Sequence, residues 1–323
     1  MNPSLRPNKS TIVRTKMSSS MGLRAVRAGL RVLSPRAPTL AARWAEQLFL
    51  TARRHERPSW EAAALASARA GRIRHEGGFV PTWTWTPPGA RGSLEAPPTA
   101  ILVHGWEGRG SQLAAFVPAL VAQGLRVATF DAPGHGDSPL RRASLVEHAR
   151  ALVSVGRAFG PARAVVGHSV GGAAILLATR LGLQAERVAL VAPPTTPAAF
   201  AATFARTLGL DESLEAAMIA RVEARYGLRF EDLDVRADAA RLRAPLLVVH
   251  DRDDPVVAFE GGRLIARAAP RGELVAVTGL GHRAILRAPN VIAAVTEFAG
   301  APAPAPTFAE TIDGELYLRD TRW

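Results

Sequence analysis

The 323-residue chain contains no cysteine. That excludes a disulfide framework, a thiol nucleophile and a thiolate-held metal. No apolar run reaches the roughly 18 residues needed to span a bilayer, and the front lacks the compact apolar stretch of a secretory signal. Lysine is nearly missing too. Lys9 and Lys16 are the only two, and arginine carries every other positive charge. Acidic residues are scarce at the front: residues 1–76 hold 15 basic and 4 acidic side chains, whereas the rest holds 25 and 24. The net charge of +12 therefore belongs to the front, on a body that is close to neutral. Basic character spread over a whole domain would point to nucleic acid. Confined to an extension it does not, and no nucleic-acid partner is expected. The 48% hydrophobic and 21% charged content is that of a globular protein, with a cytoplasmic location expected.

What is there divides into four stretches. Residues 1–76 form a basic N-terminal extension. Its first 20 residues read as a disordered start, with Met17 and Met21 as alternative initiators. From Leu23 a helical period appears, with Leu23, Val26, Leu30 and Leu33 on one face and Arg24, Arg27 and Arg31 on another. Pro35 and Pro38 break it. A second helix is expected after Thr39 as N-cap, with Leu40, Trp44 and Leu48 four apart. Two placements of these helices stay open: weak contact with an anionic membrane surface, or packing on the body or on a second subunit. A short helix is expected over 59–70.

Residues 77–300 read as the core. Phe79–Trp85 alternates as a strand, with Trp83 and Trp85 on one face for core packing. Apolar strands then alternate with helices: strands over 99–104, 125–130, 163–168, 187–191, 245–250 and 273–277, and helices over 112–123, 145–159, 170–181, 260–268 and 289–298. Strands apolar along their whole length imply a mostly parallel sheet covered by helices on both faces, with ligands at the carboxyl ends of the strands. Residues 193–243 break the alternation. Phe200, Phe204 and Leu208 share one helical face, and Met218, Val222 and Tyr226 another. This reads as a helical lid insertion. Residues 301–323 are a stiff Ala-Pro linker and a tail with strand-like Glu315–Leu318.

The chemistry centres on Gly167-His168-Ser169-Val170-Gly171, a G-x-S-x-G pentapeptide between an apolar strand and a small-residue helix. That layout is a nucleophile elbow, which lifts a serine Oγ off a strand end. Side chains in place of Gly167 and Gly171 would collide with neighbouring turns. Three further motifs stand at strand ends: His104-Gly105-Trp106, Asp131-Ala-Pro-Gly-His-Gly-Asp-Ser138, and Asp251-Arg-Asp-Asp-Pro-Val-Val257. A fifth, Gly281-His282, lies in a glycine-rich loop.

With these motifs in this order, residues 99–299 resemble the α/β-hydrolase fold, and within it the serine hydrolases of the esterase and lysophospholipase type. The resemblance implies the chain order Ser, acid, His. It makes Ser169 the nucleophile and His282 the base, since His250 precedes the acid. The G-x-x-D-x-x-V pattern of the family puts the acid at Asp254, with Asp253 in reserve. Ala192–Thr196, where some relatives carry the acid, has no carboxylate. Asp251 and Asp253 are expected to be solvated loop charges, paired with Arg252. The oxyanion donors are the backbone N–H groups of Trp106 and Val170. His104 and His168 are expected to give supporting hydrogen bonds, and His135 and Asp137 to be structural. No metal or other cofactor is implied. The expected activity is acyl transfer from a small-molecule ester to water. Acyl transfer to other acceptors, thioester, carbon–carbon or perhydrolytic chemistry, and a non-catalytic binding role stay open.

Overall fold

The computed structural model of the protein describes residues 21–90, 96–301, 309–312 and 315–318. The expected disordered start (1–20) and most of the Ala-Pro linker lie outside them. A single eight-stranded sheet organises the body: β1 (Arg69–His75), β2 (Gly78–Trp85), β3 (Thr99–Val103), β4 (Arg126–Phe130), β5 (Ala162–His168), β6 (Val188–Val191), β7 (Leu246–Asp251) and β8 (Gly272–Val277). The spatial order is β1-β2-β4-β3-β5-β6-β7-β8. β1 pairs antiparallel with β2, and β2 antiparallel with β4; every other pairing is parallel.

Parallel strands need crossovers, and crossovers put helices on both faces. Twelve helices are described: α1 (Met21–Leu33), α2 (Pro38–Phe49), α3 (Ser59–Ala66), α4 (Val117–Ala122), α5 (Leu145–Phe159), α6 (Val170–Arg180), α7 (Ala198–Leu208), α8 (Glu212–Tyr226), α9 (Val235–Ala240), α10 (Phe259–Ala268), α11 (Gly281–Ala284) and α12 (Pro289–Gly300). The pleat distributes each central strand between two cores. Ile101, Val103, Val165, Val188, Leu190, Leu246 and Val248 enter the layer under α5, α6, α9 and α10. Ala100, Leu102, Val166, Ala189, Val191, Leu247 and Val249 enter the layer under α4 and α12. Trp83 and Trp85 also lie in this second layer.

Three local expectations need correction. The sheet starts at Arg69, inside the stretch read as extension and ahead of residue 77. β1 is Arg-Ala-Gly-Arg-Ile-Arg-His, an exposed edge strand, and charges that protect an edge from further pairing also erase its apolar signal. The helix expected over 112–123 is a 3₁₀ segment, Gly110–Phe116, continued by the short α4. Pro38 does not break a helix but opens α2, where its missing N–H costs nothing.

The front helices have both a covered and an open face. Leu30, Ala41 and Ala42 are buried together with Leu208 of α7 and Leu214 of α8. Phe49 meets Phe200, Phe204 and Phe230 with ring centroids 5.5, 5.2 and 6.2 Å away. Glu46 is buried and accepts from Arg221 Nε (2.8 Å) and Arg225 Nε (2.6 Å) of α8. Burial would raise its carboxyl, but the two guanidinium groups outweigh that and hold it below its usual range. Residues 193–243 thus carry α7, α8 and α9, with α1 and α2 packed against them. At the far end, Ala309–Ile312 pairs antiparallel with Glu315–Leu318.

Candidate active site

β5 delivers Ser169 into a turn that no ordinary residue adopts comfortably, with φ 53° and ψ −126°. The turn is held by close backbone approach. A Cβ at Gly167 would stand 2.8 Å from the Gly171 backbone, and one at Gly171 would stand 2.3 Å from His104 O. Both glycines are therefore fixed by space, and the elbow is pressed against the His104-Gly105 strand end.

Ser169 Oγ lies 3.0 Å from His282 Nε2, and His282 Nδ1 lies 2.7 Å from Asp254 Oδ2. The hydroxyl donates to Nε2, and Nδ1–H donates to the carboxylate, so the ring is held in one tautomer. Ser169 and His282 are nearly covered, at 7% and 8% exposure. The Asp254 side chain is fully covered. Its Oδ1 accepts from the backbone N–H groups of Val256 (2.7 Å) and Val257 (3.0 Å). His250 Nε2 donates to Val257 O at 3.1 Å and lies 3.6 Å from Asp254 Oδ2. Burial pushes the Asp254 carboxyl up. The His250 and His282 rings and the Val257 amide more than reverse this, and it stays ionised well below the usual carboxylate range.

Asp251 is not a solvated charge paired with Arg252. It is fully buried, and its carboxylate accepts from Asp253 N (2.8 Å), Leu280 N and Gly281 N. One carboxylate at the end of β7 thus ties the acid loop to the loop that carries His282. Burial raises its carboxyl, and the amides of Asp253, Gly281, Leu280 and Gly279 bring it below the usual range. Asp253, the reserve acid, is exposed and does not reach His282. His168 Nε2 donates to the backbone oxygen of His282 at 2.8 Å. Burial, and then the neighbouring His282 ring, push His168 down to about 3, so it stays neutral.

Trp106 and Val170 flank the serine. Val170 is the first residue of α6, and Trp106 sits in a turn closed by Gly108 N to Gly105 O (3.1 Å). Among the described residues neither amide has an acceptor. Gly105 packs so closely on the elbow that a Cβ there would be 3.0 Å from Ser169 Cβ. Glu107, next in the turn, takes φ 55°.

This turn is held from a distance. The segment between α2 and α3, residues 50–58, runs across it as a strap. Glu107 accepts from Arg53 N (3.4 Å) and pairs with His55 Nε2 (3.3 Å). Arg109 is buried and donates to His55 O (2.8 Å) and to Glu61 (2.6 Å) at the start of α3; Ser111 Oγ donates to the same carboxylate (2.6 Å). Behind the turn, the buried rings of His104, His135 and His148 stand 4.6 to 5.2 Å apart. His104 Nδ1 donates to Gly105 O (2.7 Å), and its Nε2 accepts from Ala132 N (3.0 Å). Burial pushes His135 down to about 4, and His104 and His148 well below the usual range. Asp131 is buried as well, accepts from Gly110 N and Asp137 N (both 2.7 Å), and is pushed up to about 6 by burial. The strap, the packing of the three histidines on one another and the roles of Asp251 and Asp131 have no signal in the local sequence.

The Trp106 indole meets Phe200 of α7 at 5.2 Å, so the helical insertion reaches the turn that flanks the serine. Such a constellation can take a proton from the serine, stabilise the resulting imidazolium, and receive an oxyanion on two free amides. A groove of about 980 Å³ lies elsewhere, lined by Trp85, Pro97, Pro118 and Arg126, and holds none of these groups.

Residues 100–295 match the profile of a family described as "Alpha/beta hydrolase family". No curated protein sequence matches. Several solved structures are similar in fold. The Pyrococcus furiosus esterase Pf2001 has a TM-score of 0.58 at 17% identity, over 77% of this chain and 98% of that one. Est1E from Butyrivibrio proteoclasticus, solved with ferulic acid, has 0.53 at 20%, over 72% and 96%. The esterase RhEst1 from Rhodococcus sp. has 0.53 at 18%, over 73% and 99%.

Proposed function

The chain belongs to the alpha/beta hydrolase family, and from that premise we propose that it is a serine-dependent hydrolase of carboxylic esters. The observation that carries the reading is the line of hydrogen bonds from Ser169 Oγ through His282 to Asp254, at 3.0 and 2.7 Å. In this reaction His282 Nε2 takes the hydroxyl proton as Oγ attacks the ester carbonyl. Asp254, already ionised, stabilises the imidazolium and keeps its orientation. The negative charge that develops on the carbonyl oxygen falls to Trp106 N–H and Val170 N–H. These are free for it and add to the favourable end of α6. His282 then returns the proton to the leaving alkoxide, leaving an acyl-Ser169 enzyme. Water, deprotonated by the same ring, releases the acid.

The insertion carrying α7 and α8 acts as a lid that shapes the acyl pocket. Phe200, 38% exposed and tilted against the Trp106 ring, supplies an apolar wall, which suits an uncharged acyl group. The test uses p-nitrophenyl esters and a fluorophosphonate probe. The protein should hydrolyse the esters and be labelled once, and Ser169→Ala should lose labelling and at least about 10⁴-fold in kcat. Equal labelling of the variant, or a folded protein that neither labels nor turns over, overturns the proposal.

A further inference from the structure

We propose that the outer face of the α1–α2 hairpin docks on an anionic lipid bilayer. The inner face is spent: Leu30, Ala41 and Ala42 are buried against α7 and α8. The outer face is not. Residues 21–45 carry Arg24, Arg27, Arg31, Arg36 and Arg43 and no Asp or Glu, and all five arginines are exposed. The first acidic residue after them, Glu46, is buried and already paired with Arg221 and Arg225. Glu212 and Glu215, at the start of α8, belong to the element beneath the inner face.

Apolar side chains stand among the arginines. Met21 (87%), Val32 (57%) and Leu40 (56%) are three of the eight large exposed hydrophobic residues among the described ones. At 100° per residue, Met21, Ala25, Ala28 and Val32 form one exposed strip on α1, and Arg24, Arg27 and Arg31 run along its flank. A helix with an apolar strip beside a cationic edge lies in the interface of an anionic membrane, the strip dipping between headgroups and the guanidinium groups meeting phosphates. Positive charge with no compensating acid selects an anionic partner, and the exposed apolar strip selects a bilayer over a purely charged polymer. Through Glu46 and the buried leucines the hairpin is joined to α7 and α8, so docking would place the helical insertion beside the lipid.

The test is sedimentation of the full chain with phosphatidylcholine vesicles, with and without phosphatidylglycerol. The protein should pellet with the anionic vesicles, stay free of the neutral ones, and be released by salt. Each arginine near such a surface contributes about fivefold in partitioning, so Arg24→Gln/Arg31→Gln should weaken binding about 25-fold. Met21→Ser/Val32→Ser should weaken it as well. All four positions are exposed, so melting temperatures should not move. Failure of the protein to bind anionic vesicles overturns the proposal. So does wild-type binding by the arginine variant, or a dimer that forms through this face and blocks it. None of these outcomes touches Ser169 chemistry.

Discussion

Ser169 stands between two walls built on different physics. One wall, His282 with Asp254, is held by carboxylates and amides that come from adjacent strand ends: Asp251 ends β7 and Asp254 follows it, and Leu280 and Gly281 follow β8. Both carboxylates lie below their usual range because N–H groups converge on them. The other wall, the Gly105–Gly108 turn that presents Trp106 N–H, is held by groups brought from far along the chain. Glu61 holds Arg109 and Ser111, His55 holds Glu107, and three neutral histidines fill the space behind. The first wall keeps its charges where the proposed reaction uses them. The second buries charge and imidazole only to fix a loop. The contrast predicts that substitutions in the first act on rate and substitutions in the second act on stability.

The sharpest break would come from Asp254→Asn. The amide keeps the bonds from Val256 and Val257 through its oxygen but cannot accept from His282 Nδ1–H and stabilise an imidazolium. Ester turnover should fall by about 10⁴-fold in kcat, about 5 kcal/mol of transition-state stabilisation, with the melting temperature little changed. A fall of less than tenfold, or a large loss of stability, would show that the first wall is structural.

Arg109→Met tests the second wall. It leaves Glu61 buried beside Ser111 without its cation, and breaking a buried pair by removing one partner costs about 3–5 kcal/mol. Denaturant unfolding should show that loss. The double variant Glu61→Gln/Arg109→Met, which removes the stranded charge, should recover much of it. If Arg109→Met unfolds like the wild type, the strap does not hold the turn.

The same division decides what could be read from residues alone. The first wall is written in short spacings, because an elbow, an acid loop and a histidine loop each need glycines or strand ends within a few positions. The family resemblance that those motifs carry implies Ser169, His282 and Asp254, and in the structure His282 lies within hydrogen-bond distance of both the others. Asp251 departs from the solvated role expected of an aspartate in a polar loop because the loop that donates to it, 29 residues on, folds over it. The second wall has no local signature. Glu61 and Arg109 are 48 residues apart, and of the three clustered histidines His104 follows β3, His135 lies between β4 and α5, and His148 lies within α5. β1 hid for the opposite reason, since its local pattern of alternating arginines resembles a solvated segment. The central strands were plain because both of their faces are apolar, and the two faces of α1 were visible as a period, although not what each would meet.

Acid should expose the second wall before the first. An unfolded histidine takes up a proton near pH 6.5, whereas burial keeps folded His135 neutral down to about 4. Between those values the unfolded chain binds a proton that the folded chain refuses. The stability that His135 contributes is complete above pH 6.5 and is lost as pH falls toward 4, at about 1.4 kcal/mol per pH unit, or about 2 kcal/mol by pH 5. His104 and His148 in the same cluster, and His168 behind His282, have the same sign. Asp131 opposes them. Its carboxyl is raised to about 6, so the folded state takes up its proton first and gains stability as pH falls from 6 toward 4, offsetting about one histidine. Asp251 and Asp254, held low, stay ionised throughout this window and contribute nothing to the change. Unfolding free energies measured from pH 7.5 to 5 should therefore fall steeply. His135→Gln, which keeps an N–H for Pro133 O but cannot titrate, should make the slope shallower by about 1.4 kcal/mol per pH unit. A slope that the variant leaves unchanged would mean that the cluster behind the turn is not the acid-sensitive part, and the two walls would no longer be distinguishable by pH.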